Sequence, residues 1–547
     1  MLKFSQEGLW RGHALVCAKE EETMIKKFFS LILICLLLPL LMVGCSVHDD
    51  PQDIVRCGTW GGLNWTLYET EGELIISGIG EMDDFSQDSQ ACAWREYKSL
   101  IKSATITEGV TTISEDAFSR CTSLTSVSIP ASVTVIGNCA FNNCFELTDV
   151  YYEGALGQWC VITYGERGAY PQAYADNLYV DGELLAGEVI IPSTVTKLQA
   201  YTFAAGCNGL TGVTIPASVT SIEDCAFPIS GDLNDIYYTG TIAQWLGITF
   251  SSPWANPINV ADRVYIDGKL FTGEVVVPST VTEIKAHAFA FCEELTSVVF
   301  EENSQLTTIG NSAFENCCSL KEIAIPDGVI TIGDSAFSSC DRLTSITIPD
   351  SVITIGNSAL RNCDDLTSIK IPASVTDIGS YVFHDCDSLR SISVDKYNAV
   401  YHSVANCLIE TESKTLVAGC KNSAIPADGS VTTIGDNAFS GCSGLMRIII
   451  PSSVTIIGKR AFASCNSLTT VVFEEGSQLM SIGDRAFSGC RSLTIVYYGG
   501  EESSWVNISI GEGNDYFICA TRYYYSETAP STSGNYWHNV NGVLTKW

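Results

Sequence analysis

Basic residues are scarce in this chain: 30 Lys and Arg stand against 62 Asp and Glu, a formal net charge of −32 over 547 residues. That balance excludes nucleic acid and anionic lipid surfaces as partners of the folded body, and the acids keep a long apolar structure soluble. Histidine is rarer still. There are six, of which only His287, His384, His402 and His538 fall in the part that reads as folded, and none recurs in register, so each is read as structural. No G-x-S-x-G, H-E-x-x-H, P-loop or Rossmann glycine pattern occurs, so no enzyme, cofactor or metal site is expected. Only one long apolar run is present, Phe28 to Val43, and with no second span or cell-wall sorting signal behind it, anchorage is assigned to the N-terminus.

What the chain has in abundance is one short unit. Ile332-Gly333-Asp334-Ser335-Ala336-Phe337-Ser338-Ser339-Cys340-Asp341-Arg342-Leu343-Thr344-Ser345-Ile346-Thr347-Ile348-Pro349 recurs with its aromatic anchor at Phe118, Phe141, Phe203, Phe227, Phe289, Phe314, Phe337, Leu360, Phe383, Phe439, Phe462 and Phe487, most often 23 residues apart. Five residues before each anchor stands Ile, or Leu198 in one copy. A unit of this length cannot bury its own apolar face, so the twelve copies must stack as a solenoid, spanning roughly 60 Å at ordinary strand spacing. Leu343-x-x-Ile346-x-Ile348 alternates as a half-buried strand that Pro349 ends. Ser335 to Cys340 reads as a helical or 3₁₀ turn capped by Asp334 or Ser335, with Gly333 allowing a tight bend.

The 23 cysteines do not read as a disulfide scaffold. Cys121, Cys144, Cys207, Cys292, Cys317, Cys340, Cys363, Cys386, Cys442, Cys465 and Cys490 share one repeat position and form an inward column of small apolar side chains. A column spreads its thiols along an axis, whereas a metal needs ligands around a point. Cys57 with Cys92, and Cys407 with Cys420, lie outside the column and are the pairings open to an exported protein.

The pattern I-G-x-x-A-F-x-x-C-x-x-L-x-x-I-x-I-P resembles the BspA-type leucine-rich repeat family of bacterial surface proteins. The resemblance covers roughly residues 56 to 547 and implies a leucine-rich-repeat-like solenoid: a parallel β-sheet, short helical or 3₁₀ turns and β-rich terminal caps. Residues 1–23 place Glu20-Glu21-Glu22 where a positive segment belongs and read as a misassigned upstream start. Residues 24–44 resemble a bacterial lipoprotein signal, with Met24-Ile-Lys-Lys, an apolar run and Gly44 before Cys45, the expected lipidated residue. Met42 stands where that signal usually has Leu. Residues 45–55 form a tether and 56–103 an N-terminal cap, needed because an open solenoid end exposes strand edges. The array occupies 104–498, with inserts at 151–191, 237–277 and 395–428. The first two repeat each other at an offset of 86: Tyr151-Tyr152, Gln158 and Trp159 match Tyr237-Tyr238, Gln244 and Trp245. The third reads as a two-stranded excursion. Residues 499–547, rich in Tyr and Trp, close the stack.

Two function classes follow. The outward strand positions are rich in hydroxyls, with Thr344, Ser345, Thr347, Thr367, Ser368 and Lys370 as the central candidates, and form a surface suited to macromolecules. The resemblance implies an adhesin, monomeric and lipid-anchored at the bacterial cell surface, that binds host matrix proteins such as fibronectin or fibrinogen, or other cells. The alternative is a glycan receptor in which Trp159 and Trp245 stack on sugar rings, against the reading that these tryptophans plug gaps between coils.

Overall fold

The computed structural model describes residues 55–83, 92–165, 168–203, 207, 209–227, 233–531, 533–540 and 543–547. Segments 1–23 and 24–44, Cys45 and nearly all of the tether lie outside the described residues. From Ser103 onward the chain winds as a parallel β-solenoid of about 18 turns, against twelve counted from the anchors alone. At ordinary strand spacing that is a body roughly 85 Å long.

Each turn contributes one strand to a main face, which is divided into several sheets, and most turns add two residues to a narrow second face. Glu322–Ala324 pairs with Ser345–Thr347 in the first, and Thr331–Ile332 with Thr354–Ile355 in the second, every pair parallel and in register. The alternating residues explain the first: Ile346 is buried while Ser345 and Thr347 face solvent. Between the sheets run the anchors. Phe314 and Phe337 lie 5.3 Å apart at 3°, and Phe439, Phe462 and Phe487 repeat the stack at 5.1 Å, close to the strand spacing that sets it. The caps prolong this column, Trp94 stacking on Phe118 and Phe517 on Phe487.

The stretch Ser335–Cys340 is not helical. Ser335 and Ser339 adopt left-handed backbone (φ 54° and 58°), which turns alternate N–H groups toward the following coil. Ser335, Phe337 and Ser339 N–H donate to the carbonyls of Asn357, Ala359 and Arg361 at 2.8, 2.9 and 2.7 Å. The turn is thus a third ladder between coils, a requirement set by partners 22 residues further along, and it outweighs local helix formation. Asp334 likewise caps nothing in its own coil. Its Oδ1 accepts the Asn357 N–H at 2.7 Å, just as Asn311 Oδ1 accepts that of Asp334 and Asn357 Oδ1 that of Ser380. Gly333 follows from this side-chain ladder, since a Cβ there would meet Asn311 Oδ1 at 2.5 Å, with no bend requiring a positive φ.

The tyrosine-bearing segments 151–191 and 237–277 are members of the stack. Asp149–Tyr152 and Asn177–Val180 pair in register after Ser126–Ile129, and Asp235–Tyr238 and Arg263–Ile266 do the same after Leu210–Ile215. These turns are longer, and a short helix, Leu156–Trp159 or Ile242–Leu246, carries a tryptophan inward to fill them. The excursion has three antiparallel strands where two were expected: Tyr401–Val404, Cys407–Glu410 and Thr415–Ala418, the last rejoining the second sheet beside Thr433–Ile434.

Cap strands Val55–Trp60, Leu63–Tyr68 and Glu73–Ser77 form an antiparallel meander whose last member pairs parallel to Ser103–Ile106. At the other end the hairpin Tyr536–Val540 with Val543–Lys546 closes the sheet, with Trp537 buried beneath it. Neither expected disulfide exists. Cys92, Cys407 and Cys420 are free, and Cys57 is disulfide-bonded elsewhere. The cysteine column does more than fill space: the thiols of Cys340, Cys363, Cys386 and Cys465 donate to the carbonyls of Phe314, Phe337, Leu360 and Phe439 at 3.0–3.2 Å. Cys519 is the one free thiol classed as exposed among the described residues. Among the described residues Cys519 should therefore be the thiol that Ellman's reagent reaches fastest, and Cys519→Ser should remove that contribution. Rapid reaction of many thiols without denaturant would contradict a packed column.

Candidate functional site

Divided among several sheets, the outward positions of successive main strands face solvent on one side of the solenoid. Ser345, Thr347, Ser368 and Lys370 lie on it, with Thr344 and Thr367 at the strand entrances, and all six are exposed. They are not equivalent. Thr344 Oγ1 donates to the Lys321 carbonyl of the preceding coil at 3.0 Å, an arrangement shared by Thr125, Thr296 and Thr469, so the entrance threonine ties coils together. Lys370 Nζ lies 3.4 Å from Asp395 Oδ2. Ser345 and Thr347 help line a broad depression of about 970 Å³ with Val299, Glu301, Glu322 and Ala324.

Trp159 and Trp245 are not on this surface. Both are fully buried, their indole N–H groups donating to the carbonyls of Thr202 at 2.9 Å and Ala288 at 3.0 Å, so neither can stack on a sugar. They are core residues of the wider turns, and the glycan reading built on them is corrected by that burial. Tyr152 and Tyr238 point inward as well, at 1% exposure each, whereas their predecessors Tyr151 and Tyr237 point outward.

The outward positions, followed from strand to strand, give a stripe that the hydroxyl count had hidden. Tyr151 aligns with Tyr179, Ile190 with Thr214, Thr214 with Tyr237, and Tyr237 with Tyr265. Val276 aligns with Val299, and further on Ile449 is exposed, although its neighbour in register, Val472, is buried and interrupts the stripe before Tyr497. Ile190 is 71% exposed, and Val276, Val299 and Ile449 are 43–48% exposed. A signal existed in the sequence, because the first tyrosine of each Tyr-Tyr pair falls in phase with outward Ser128 and Thr347; composition alone obscured it.

Chemistry is otherwise sparse. His384 Nε2 lies 3.1 Å from Asp385 Oδ2, while the buried Nδ1 atoms of His384 and His287 have no partner. Burial lowers the pKa of His287. Among the described residues no group of three or more His, Cys, Asp or Glu converges as a metal site, and no helix is long and apolar enough to cross a membrane.

The sequence profile described as BspA type leucine rich repeat region matches this chain in six copies, over residues 94–159, 185–271, 268–390 and 411–505, more than half of its length. The chain belongs to the BspA type leucine rich repeat family. Family membership accounts for the I-G-x-x-A-F-x-x-C unit. Among solved structures the chain is similar to a leucine-rich repeat protein from Eubacterium ventriosum, with 18% identity, 90% of this chain and 100% of that one covered, and a TM-score of 0.33. It is similar also to one from Bacteroides ovatus (22%, 87% and 100%, 0.33) and to a leucine rich cell surface protein from Faecalibacterium prausnitzii (22%, 86% and 98%, 0.29). No curated protein matches it.

Proposed function

We propose that this protein is an exported surface lipoprotein, attached through Cys45, that binds protein partners on the exposed face of its main sheet. The observation that carries the reading is the set of exposed Tyr, Ile and Val side chains at outward strand positions, of which Val299 also lines the depression with Ala324 and Thr347. Apolar side chains held on a rigid ladder and rimmed by polar groups are what a protein interface requires, and large exposed apolar patches are uncommon on surfaces that bind nothing. Attachment rests on the signal-like segment 24–44 and its terminal Cys45; adhesion to host matrix proteins or other cells rests on membership of the family together with that anchorage. No catalytic arrangement competes with this reading on the sheet face.

The test is capture of soluble protein, residues 46–547, on immobilised matrix proteins and on a glycan array in parallel. The pair Val276→Lys with Val299→Lys should lower capture on a matrix protein at least tenfold and leave the circular-dichroism spectrum unchanged, since exposed strand positions tolerate substitution. Undiminished capture would move the site off this face. Incorporation of labelled palmitate that persists in Cys45→Ala would remove the anchor.

A further inference from the structure

Three pairs of tyrosines stand on the exposed sheet face. Tyr151 with Tyr179, Tyr237 with Tyr265, and Tyr497 with Tyr523 are stacked at 4.8, 4.8 and 5.2 Å, with interplanar angles of 16°, 19° and 25°. They are dispensable to the core, which takes the inward residues Tyr152, Tyr238 and Tyr498 instead. The third pair already holds a cation. Lys546, reaching over from the closing hairpin, places Nζ 4.2 Å from the Tyr523 ring centroid and donates to its hydroxyl at 2.8 Å.

At the first two pairs, among the described residues, no Lys or Arg of the chain lies over a ring, although Arg263, held on Asp235, acts on both Tyr237 and Tyr265 from the side. Carboxylates nevertheless stand beside both. Asp149 acts on Tyr151, and Ser128, in register with Tyr151, donates to Glu153 Oε1 at 2.9 Å. Beside Tyr237 the sheet is notched at Gly212, where a Cβ would come within 3.2 Å of Glu188 Cγ and 3.7 Å of the Tyr237 ring. Asp235 is already engaged by Arg263 through two bonds of 2.6 and 2.7 Å, which leaves Glu188 as the charge facing the notch.

We propose that Tyr151/Tyr179 and Tyr237/Tyr265 are stations for lysine side chains of a basic partner protein, taking from outside what Lys546 supplies at Tyr497/Tyr523. An ammonium within about 6 Å of an aromatic ring is attracted by its quadrupole, and an adjacent carboxylate adds to that attraction. The net charge of −32 draws a basic partner to the surface, and the stations give it a register. The proposal rests on the sheet face being the partner surface and names the partner's chemistry.

The experiment titrates full-length protein with a peptide alternating Lys and Ser, and with the same peptide acetylated on every lysine. The unmodified peptide should bind and the acetylated one should not. Tyr151→Leu combined with Tyr237→Leu leaves the net charge unaltered and should weaken binding by at least about fivefold, while Lys546→Met, which opens the third station, should raise the number of peptides bound. Glu188→Gln provides a second variant should the double change perturb folding; it should weaken binding, whereas Glu412→Gln, an exposed residue of the three-stranded excursion, should not. Equal binding by wild type and the Tyr variants would overturn the proposal, reducing the attraction to net charge. So would displacement of the peptide by a chito-oligosaccharide that loses affinity in the same variants. If the stations fail while Val276→Lys with Val299→Lys still abolishes capture of a matrix protein, the sheet-face reading stands and only the lysine stations fall.

Discussion

Phe337→Ala is expected to destabilise the central coils by about 3–5 kcal/mol, the usual cost of emptying a buried aromatic site. Phe337 is fully buried, stacked on Phe314, and its N–H is fixed to the Ala359 carbonyl, so the backbone around a truncated side chain cannot collapse to fill the space. Nature's own substitution in the next coil is Leu360, which keeps most of the volume. Because coupling in a solenoid runs mainly between neighbours, amide exchange should accelerate first in the adjoining coils around Phe314 and Leu360 and last near the caps. Cys340→Ala should cost much less, removing a small side chain and one weak thiol donor to the Phe314 carbonyl. Equal losses from the two changes, read from denaturant midpoints, would mean that the thiol column and not the ring column sets coil cohesion.

The second large effect is alkaline unfolding. Burial pushes the thiols of Cys144, Cys207, Cys292 and Cys386 up to about 12, and the hydroxyls of Tyr152 and Tyr238 to about 12 as well. A free thiol titrates near about 8.5. Between those values the unfolded chain has lost protons that the folded chain retains, so the folded state binds more protons and stability falls as pH rises. The contribution is complete below about pH 8.5 and declines through the window up to about 12. Many equivalent thiols act together, so thermal midpoints should be flat from neutrality to pH 8.5 and drop steeply above it. Replacing several column cysteines by alanine should lower the neutral midpoint yet flatten the alkaline drop. A midpoint unchanged between pH 8 and pH 10.5 would contradict buried, protonated thiols.

The core was legible in the sequence because it is periodic. Ile332, Phe337, Cys340, Leu343 and Ile346 each recur at a fixed offset, and a residue that must be apolar in every coil is visible without coordinates. The same periodicity gave parallel strands in register, since stacking identical units admits one alignment of their apolar faces. The tyrosine-bearing segments escaped because their turns are longer than the repeat, and it is their pairing with neighbouring strands that makes them coils.

The binding surface was only half visible. Thr347 and Ser345 were placed by alternation, but the tyrosine stations depend on Tyr151 and Tyr179 meeting across strands 28 residues apart, and on Gly212 leaving space between Glu188 and Tyr237. Trp159 and Trp245 could be read as plugs between coils or as sugar platforms, because nothing local told which face of a four- or five-residue helix turns inward, and their burial decides for plugs.

The sequence by itself therefore determined the repeat, the core column and the family, because each follows from residues that a single coil must contain. Only the tertiary structure decided that Ser335–Cys340 is a ladder of turns, that Asp334 serves the next coil, that Cys92 and Cys407 stay free, and which aromatics face solvent. Those outcomes are settled by groups in adjacent coils, which supply the hydrogen-bond partners and the space that no single unit holds.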